Sequence, residues 1–150
     1  MRMNKVSVVL LAGGIGKRMK QSVPKQFLLL AGKPIIVHVL EKLNSIPEID
    51  EIIIPTPEKF HKQMIELFFD YNFSKDIKCI IGGKDRQEST YKALKEVKHD
   101  IVIVHEAVRP FVRKEEFQAL IDSDYKNAIF ATDIPFTVLE GGTIIEKKSG

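Results

Sequence analysis

Apolar residues in this chain fall in short runs separated by amphipathic stretches. Val6–Leu11 (VSVVLL) is rich in β-branched residues and does not alternate, the pattern of a strand buried on both faces. After Gly32-Lys33-Pro34, the residues Ile36, Val39, Leu40 and Leu43 recur at helical spacing and predict a helix over 35–44, with Pro34 suited to its first turn. Residues 51–54 read as a short strand stopped by Pro55 and Pro57. Residues 58–71 read as an amphipathic helix carrying Met64, Ile65, Leu67 and Phe68. A third buried strand over 77–81, a helix over 85–97, a strand over 101–105, a helix over 114–123 and a last strand over 128–132 complete the alternation. This β-α-β rhythm predicts an α/β domain with a mainly parallel sheet covered on both faces. In such a sheet, ligands bind in the crevice at the carboxyl ends of the strands. From Phe136 the period changes: FTVLE, Gly141-Gly142 and TIIEK alternate about a two-glycine turn and predict a β-hairpin.

The turn after the first strand carries the clearest chemistry. Ala12-Gly13-Gly14-Ile15-Gly16-Lys17-Arg18-Met19 is followed by Pro24-Lys25-Gln26-Phe27. Glycines there permit positive φ and remove Cβ atoms, so backbone N–H groups can approach an anion closely. Arg18 can fork onto phosphate oxygens, and Lys25, behind Pro24, is a compact point charge on a stiffened loop. The segment is not a Walker A loop, because Gly16-Lys17 is followed by Arg18 rather than Ser or Thr. It is not the dinucleotide fingerprint, because Met19 stands where the third glycine belongs. The plain alternative is a tight strand-to-helix turn with solvated cations.

Two further stretches follow strand ends. In Gly82-Gly83-Lys84-Asp85-Arg86-Gln87-Glu88-Ser89, the glycines let the backbone approach a flat base edge. Arg86 and Ser89 share one helix face. Read alone, the segment is equally a strand-to-helix turn with Asp85 or Lys84 near the cap. In His105-Glu106-Ala107-Val108-Arg109-Pro110, Glu106 suits Mg²⁺ or a substrate hydroxyl and Arg109 a phosphate; a structural Glu106–Arg109 ion pair is the alternative. His105 reads as a packed or turn histidine. His38, His61 and His99 show no metal-ligand spacing.

Taken together and in this order, the three motifs resemble those of the nucleotidyltransferases that make CDP-linked alditol phosphates. These are the 2-C-methyl-D-erythritol 4-phosphate and D-ribitol 5-phosphate cytidylyltransferases. The resemblance implies a Rossmann-like three-layer sandwich of the nucleotide-diphospho-sugar transferase type, followed by the start of a β-arm that reaches a partner subunit in a homodimer. A hairpin folded on its own domain is the alternative. It implies attack of an alditol phosphate on the α-phosphorus of CTP with Mg²⁺ as cofactor. Methylerythritol phosphate is the first choice of acceptor and ribitol phosphate the second, the latter favoured by Val108-Arg109-Pro110-Phe111. Arg18 and Lys25 would be catalytic. Ala12, Gly13, Gly14, Gly16, Gly83, Arg86 and Ser89 would bind the nucleotide. Glu106, Arg109 and Thr137 would bind the acceptor, and Glu106 would also touch the metal. The family usually has Asp where this chain has Glu106, and the added methylene moves the carboxylate by roughly 1.5 Å. Family members are longer, so residues 1–150 are expected to be one nucleotidyltransferase domain matching their N-terminal part. A CTP-binding module without turnover is the expectation of a different class.

Composition agrees without adding specificity. The 150 residues suffice for one core. A net charge of +3 without a basic, aromatic-interleaved tract argues against nucleic acid as a partner and suits a small anion. Cys79 is the only cysteine, which excludes an internal disulfide, and it is expected to be buried in its strand. No apolar run reaches membrane-span length and no signal segment is evident, so a cytoplasmic protein is expected.

Overall fold

Strand β1 (Val6–Leu11) is completely buried because it lies inside a four-stranded sheet, with a neighbour on each side. In the computed structural model, which describes residues 5–14, 23–131, 138–140 and 143–146, that sheet also contains β4 (Ile49–Thr56), β5 (Asp76–Ile81) and β6 (Ile101–Glu106). Its order is β5-β4-β1-β6 and every pairing is parallel. Parallel neighbours need crossovers, which are supplied by α1 (Ile35–Asn44), α2 (Glu58–Asp70) and α3 (Arg86–Leu94). Helix α4 (Lys114–Ile121) follows β6.

Alternation along β1 divides the interior in two. Val6, Val8 and Leu10 face a core with Ile36, Val39, Leu40 and Leu43 of α1, Met64 of α2 and Phe117 of α4. Val9 and Leu11 face the other side, packed with Ile53 and Ala93 of α3. The result is the expected α/β three-layer arrangement. The chain steps outward from β1 to β4 to β5, then returns across the sheet to place β6 on the far side of β1. That reversal leaves a crevice above the carboxyl end of β1.

The structure departs from the sequence expectations at four points. Strand β4 runs through Pro55 instead of ending before it. The β1–β4 register ends at Val9–Ile53, while pairing with β5 continues to Thr56–Ile81. The donor that Pro55 lacks therefore falls beyond the shared ladder, and its carbonyl still accepts from Ala12 N–H at 3.3 Å. Strand β5 is an edge strand and only half-buried, so Cys79 is half-buried too, and burial pushes its thiol up to about 12. Residues 128–131 form no strand: Ala128 and Ile129 line a cleft with residues of β6 without joining its ladder, and Ile129 is 88% exposed. An apolar run becomes a strand only when its backbone groups find a ladder partner. Helix α3 stops at Leu94, three residues short of expectation.

Between β1 and α1 the chain forms a 3₁₀ turn (Lys25–Phe27) and then a small hairpin of β2 (Leu29–Leu30) and β3 (Lys33–Pro34). Its two-residue turn uses positive φ at Ala31 (49°) and Gly32 (79°), the twist that tight antiparallel hairpins require. In the region of the predicted hairpin, β7 (Val138–Glu140) pairs antiparallel with β8 (Thr143–Glu146). Among the described residues, no helix is long and apolar enough to cross a membrane.

At the amino ends of the strands, Asp50 accepts from Lys5 Nζ at 2.8 Å, and its other oxygen lies 2.9 Å from His99 Nε2. The Lys5 hydrogen bond, then that of His99, holds the carboxyl below its ordinary value. A depressed carboxyl contributes stability that is present above about pH 4 and is lost as pH falls through the folded value. Asp50→Asn should therefore flatten the acid limb of a stability-against-pH curve. An unchanged limb in chemical denaturation would contradict this.

Candidate active site

The crevice above β1 is a cleft of about 320 Å³ whose lining includes Gly13, Gly14, Gly83, Arg86, Ser89 and Glu106. Three strand ends build it. Leu11 and Glu106 pair at the ends of β1 and β6, and Ala107 N–H donates to Leu11 O at 2.9 Å, so the Glu106 carboxylate stands beside the glycine turn. From β5, Gly82 N–H donates to Thr56 O at 2.9 Å and brings the second glycine pair alongside.

Gly13 and Gly14 are exposed, and a Cβ at either would meet nothing within 4 Å. Neither has positive φ; among the described residues that conformation occurs at Ala31 and Gly32. Gly13 and Gly14 therefore leave open space over the backbone and do not serve handedness. Gly83 is different: a Cβ there would lie 2.4 Å from Glu88 Cβ and 2.5 Å from Glu88 Cγ. Gly83→Ala is expected to destabilise the fold by about 2 kcal/mol through that collision. Gly13→Ala should leave unfolding unchanged within about 0.5 kcal/mol. Urea denaturation of the two variants checks the contrast, and equal losses would refute it.

The loop between Gly82 and α3 is held by its own side chains. Asp85 caps α3, its Oδ1 accepting from Glu88 N–H at 2.8 Å, and Glu88 Oε2 accepts from Lys84 N–H at 3.1 Å. The Lys84 backbone bond, then the Lys92 side chain, lowers the Glu88 carboxyl from its ordinary value. Ser89 is 6% exposed and its hydroxyl accepts from Gly83 N–H at 2.9 Å. Its lone pair thus shapes the glycine loop, and its proton is left for another acceptor. The cap and the glycine loop are one structure, in which Asp85 takes the cap position that the turn reading gave it.

Ala12 is buried beneath the cleft. Its carbonyl accepts from Gln26 Nε2 at 2.9 Å and lies 3.5 Å from Thr56 Oγ1. Gln26 is fully buried and was not singled out by the sequence analysis; the signal was a Gln between a cation and an aromatic in Pro24-Lys25-Gln26-Phe27. With Phe27 packed against Phe60 at a 6.1 Å ring separation, Gln26 anchors the 3₁₀ turn that carries exposed Lys25. Gly16, Arg18 and Thr137 lie outside the described residues.

The third motif is split. Arg86 Nε donates to Glu106 Oε1 at 2.8 Å, so the partner of Glu106 is Arg86 and not Arg109. Arg109 joins Glu106 only through the backbone, its N–H donating to Glu106 O at 3.2 Å. Its side chain lines a neighbouring cleft of about 400 Å³ with His105, Phe111 and Phe117. His105 packs edge-on against Phe117 at 5.1 Å, and burial pushes its imidazole below the ordinary range, in keeping with a packed histidine. Among the described residues, no three His, Cys, Asp or Glu side chains group as a metal cage. A single carboxylate beside a glycine turn is a donor set that fits Mg²⁺, which takes one or two carboxylates and completes its shell with phosphate and water.

Comparison with known proteins agrees with this geometry. The 2-C-methyl-D-erythritol 4-phosphate cytidylyltransferase family matches residues 6–143. A relative from Clostridium botulinum (strain Langeland), named 2-C-methyl-D-erythritol 4-phosphate cytidylyltransferase, is 42% identical over 115 residues, 75% of this chain and 50% of its own length. One of the same name from Halalkalibacterium halodurans is 36% identical over 145 residues, 93% of this chain and 64% of its own. The chain thus spans about half the length of the first of these curated relatives. Among solved structures, the bifunctional IspDF of Campylobacter jejuni superposes with a TM-score of 0.74 at 27% identity, covering 96% of this chain and 37% of that one. The 4-diphosphocytidyl-2C-methyl-D-erythritol synthase of Anaerococcus prevotii has the same fold, with a TM-score of 0.69 at 19% identity over 98% of this chain and 65% of that one. On its cleft, its sheet order and a match across almost its whole length, the chain belongs to the 2-C-methyl-D-erythritol 4-phosphate cytidylyltransferase family.

Proposed function

We propose that this chain provides the nucleotide-binding and phosphoryl-transfer region of an enzyme that joins CTP to 2-C-methyl-D-erythritol 4-phosphate and releases pyrophosphate. The observation that carries the reading is the gathering of Gly13, Gly14, Gly83, Arg86, Ser89 and Glu106 from three strand ends around one cleft. The Gly13–Gly14 backbone receives the triphosphate, and the Gly83 loop with Ser89 takes the edge of the cytosine. Lys25 and Arg18 neutralise charge at the α-phosphate and the leaving pyrophosphate. Transfer of this kind is in-line displacement by the acceptor phosphate, for which alignment and charge stabilisation suffice and no covalent intermediate is needed. Glu106 would help to hold Mg²⁺, which when bound would supply further neutralisation of the polyphosphate. The relatives' name supports methylerythritol phosphate as acceptor, with Arg109 and Thr137 on its phosphate. Assembly as a homodimer through the 138–146 hairpin and a cytoplasmic location belong to the same reading.

The test is pyrophosphate release with CTP and Mg²⁺, comparing methylerythritol 4-phosphate with ribitol 5-phosphate. Turnover with the first acceptor supports the proposal, and turnover with the second alone reassigns the acceptor. CTP binding without turnover limits these residues to a nucleotide-binding module, and absence of CTP binding overturns the reading.

A further inference from the structure

The Arg86–Glu106 contact joins residues 20 positions apart and does not arise within one element. Arg86 opens α3, and Glu106 closes β6 beside Leu11. The side chains therefore bridge from the helix that crosses β4 and β1 to the far strand, over the start of the glycine turn, and both line the same cleft as Gly13 and Gly14. The arginine is 69% exposed and the glutamate 29%, so the pair is too wet to contribute much to stability. Its place suggests another role. A carboxylate beside a turn that receives a polyphosphate repels the ligand unless it is compensated, and among the described residues Arg86 makes that compensating contact directly.

We propose that Arg86 is the positioning residue for Glu106. It holds the carboxylate at the edge of the anion-binding turn and cancels its charge toward an incoming polyphosphate until a cation arrives with the ligand. The arrangement depends on the glutamate: shortening residue 106 to aspartate withdraws the carboxylate by roughly 1.5 Å, beyond hydrogen-bond reach of a contact that now measures 2.8 Å. The contact uses Nε, so the terminal guanidinium nitrogens are not spent on it. This inference rests on the polyphosphate reading of the cleft.

Two readouts on the 150-residue chain test it. The first is the Arg86 Nε–H proton resonance, which should exchange slowly with water in the wild type and rapidly in both Glu106→Gln and Glu106→Asp. The second is calorimetric affinity for tripolyphosphate without metal. Counting charge in the cleft, Glu106→Gln should bind most tightly. Wild type and the Arg86→Gln/Glu106→Gln double variant should be similar, and Arg86→Gln should bind about tenfold more weakly than wild type. Thermal midpoints should move by no more than about 2 °C, since an exposed pair carries little stability. A double variant as weak as Arg86→Gln overturns the proposal, as does an Arg86 Nε–H that stays protected in Glu106→Asp. If the wild type fails to bind tripolyphosphate, the polyphosphate reading of the cleft falls, and charge compensation falls with it. The resonance then still reports whether Arg86 positions Glu106.

Discussion

Replacing Lys25 with alanine is expected to lower the rate of pyrophosphate release by about a thousandfold, the scale of losing one preorganised charge at a transition state. Lys25 is exposed on the 3₁₀ turn, and among the described residues its ammonium makes no hydrogen bond or ion pair. Among those residues its charge is thus uncommitted and available to a ligand. The turn beneath it is rigid: Pro24 precedes it, Phe27 N–H donates to Pro24 O at 3.0 Å, and Gln26 and Phe27 are buried. Truncating an exposed side chain on so anchored a turn should change stability by no more than about 0.5 kcal/mol. Separation of the two effects is the signature. Steady-state kinetics with urea denaturation on the same preparation reads it, and near-normal turnover in Lys25→Ala would remove the residue from the mechanism.

Glu51→Ala should have the largest effect on folding, a loss of about 3 kcal/mol. Glu51 is 1% exposed at the amino end of the sheet, and its Oε1 accepts from Ser7 Oγ and from Lys98 N–H, each at 2.5 Å. Ser7, itself fully buried, accepts in turn from His99 N–H at 3.2 Å. The carboxylate thus ties β1, β4 and the loop leading to β6 together, and the Lys98 ammonium lies 3.7 Å from Oε2. Removing it leaves the buried Ser7 hydroxyl and the part-buried Lys98 N–H without their acceptor. Glu51→Gln keeps an acceptor oxygen and should lose less, and Ser7→Ala combined with Glu51→Ala should be less than additive because the pair shares one bond. The measurement is the shift in urea midpoint at unchanged m-value. A loss under 1 kcal/mol would mean that water or a rearranged loop satisfies the stranded groups.

The secondary structure was largely legible because its determinants are local. The β-branched run of β1, the helical spacing in α1 and α2, and the Asp85 cap before α3 are properties of neighbouring residues, and each element begins where that chemistry placed it. The strand expected over 128–132 failed in its described part for the complementary reason. Residues 128–131 are apolar, but a strand needs a hydrogen-bonded neighbour, and no local pattern reports whether one is present. The full burial of β1 and the half-exposure of β5 likewise depend on sheet order, which follows from the direction of each crossover.

The site divides in the same way. By itself the sequence determined that glycine turns follow apolar strands, that cations follow the first turn, and that a carboxylate ends another strand. It thereby predicted a crevice suited to an anion at one end of the sheet. Tertiary structure decided which groups meet there. Gln26 reaches back to Ala12, 14 residues away, and Glu51 reaches Ser7, 44 residues away. Glu106 pairs with Arg86 across the cleft, while Arg109, three positions along, turns into the neighbouring one. Side-chain partners of this kind depend on strand order and register, which are set by how the whole chain buries its apolar faces and not by any segment alone.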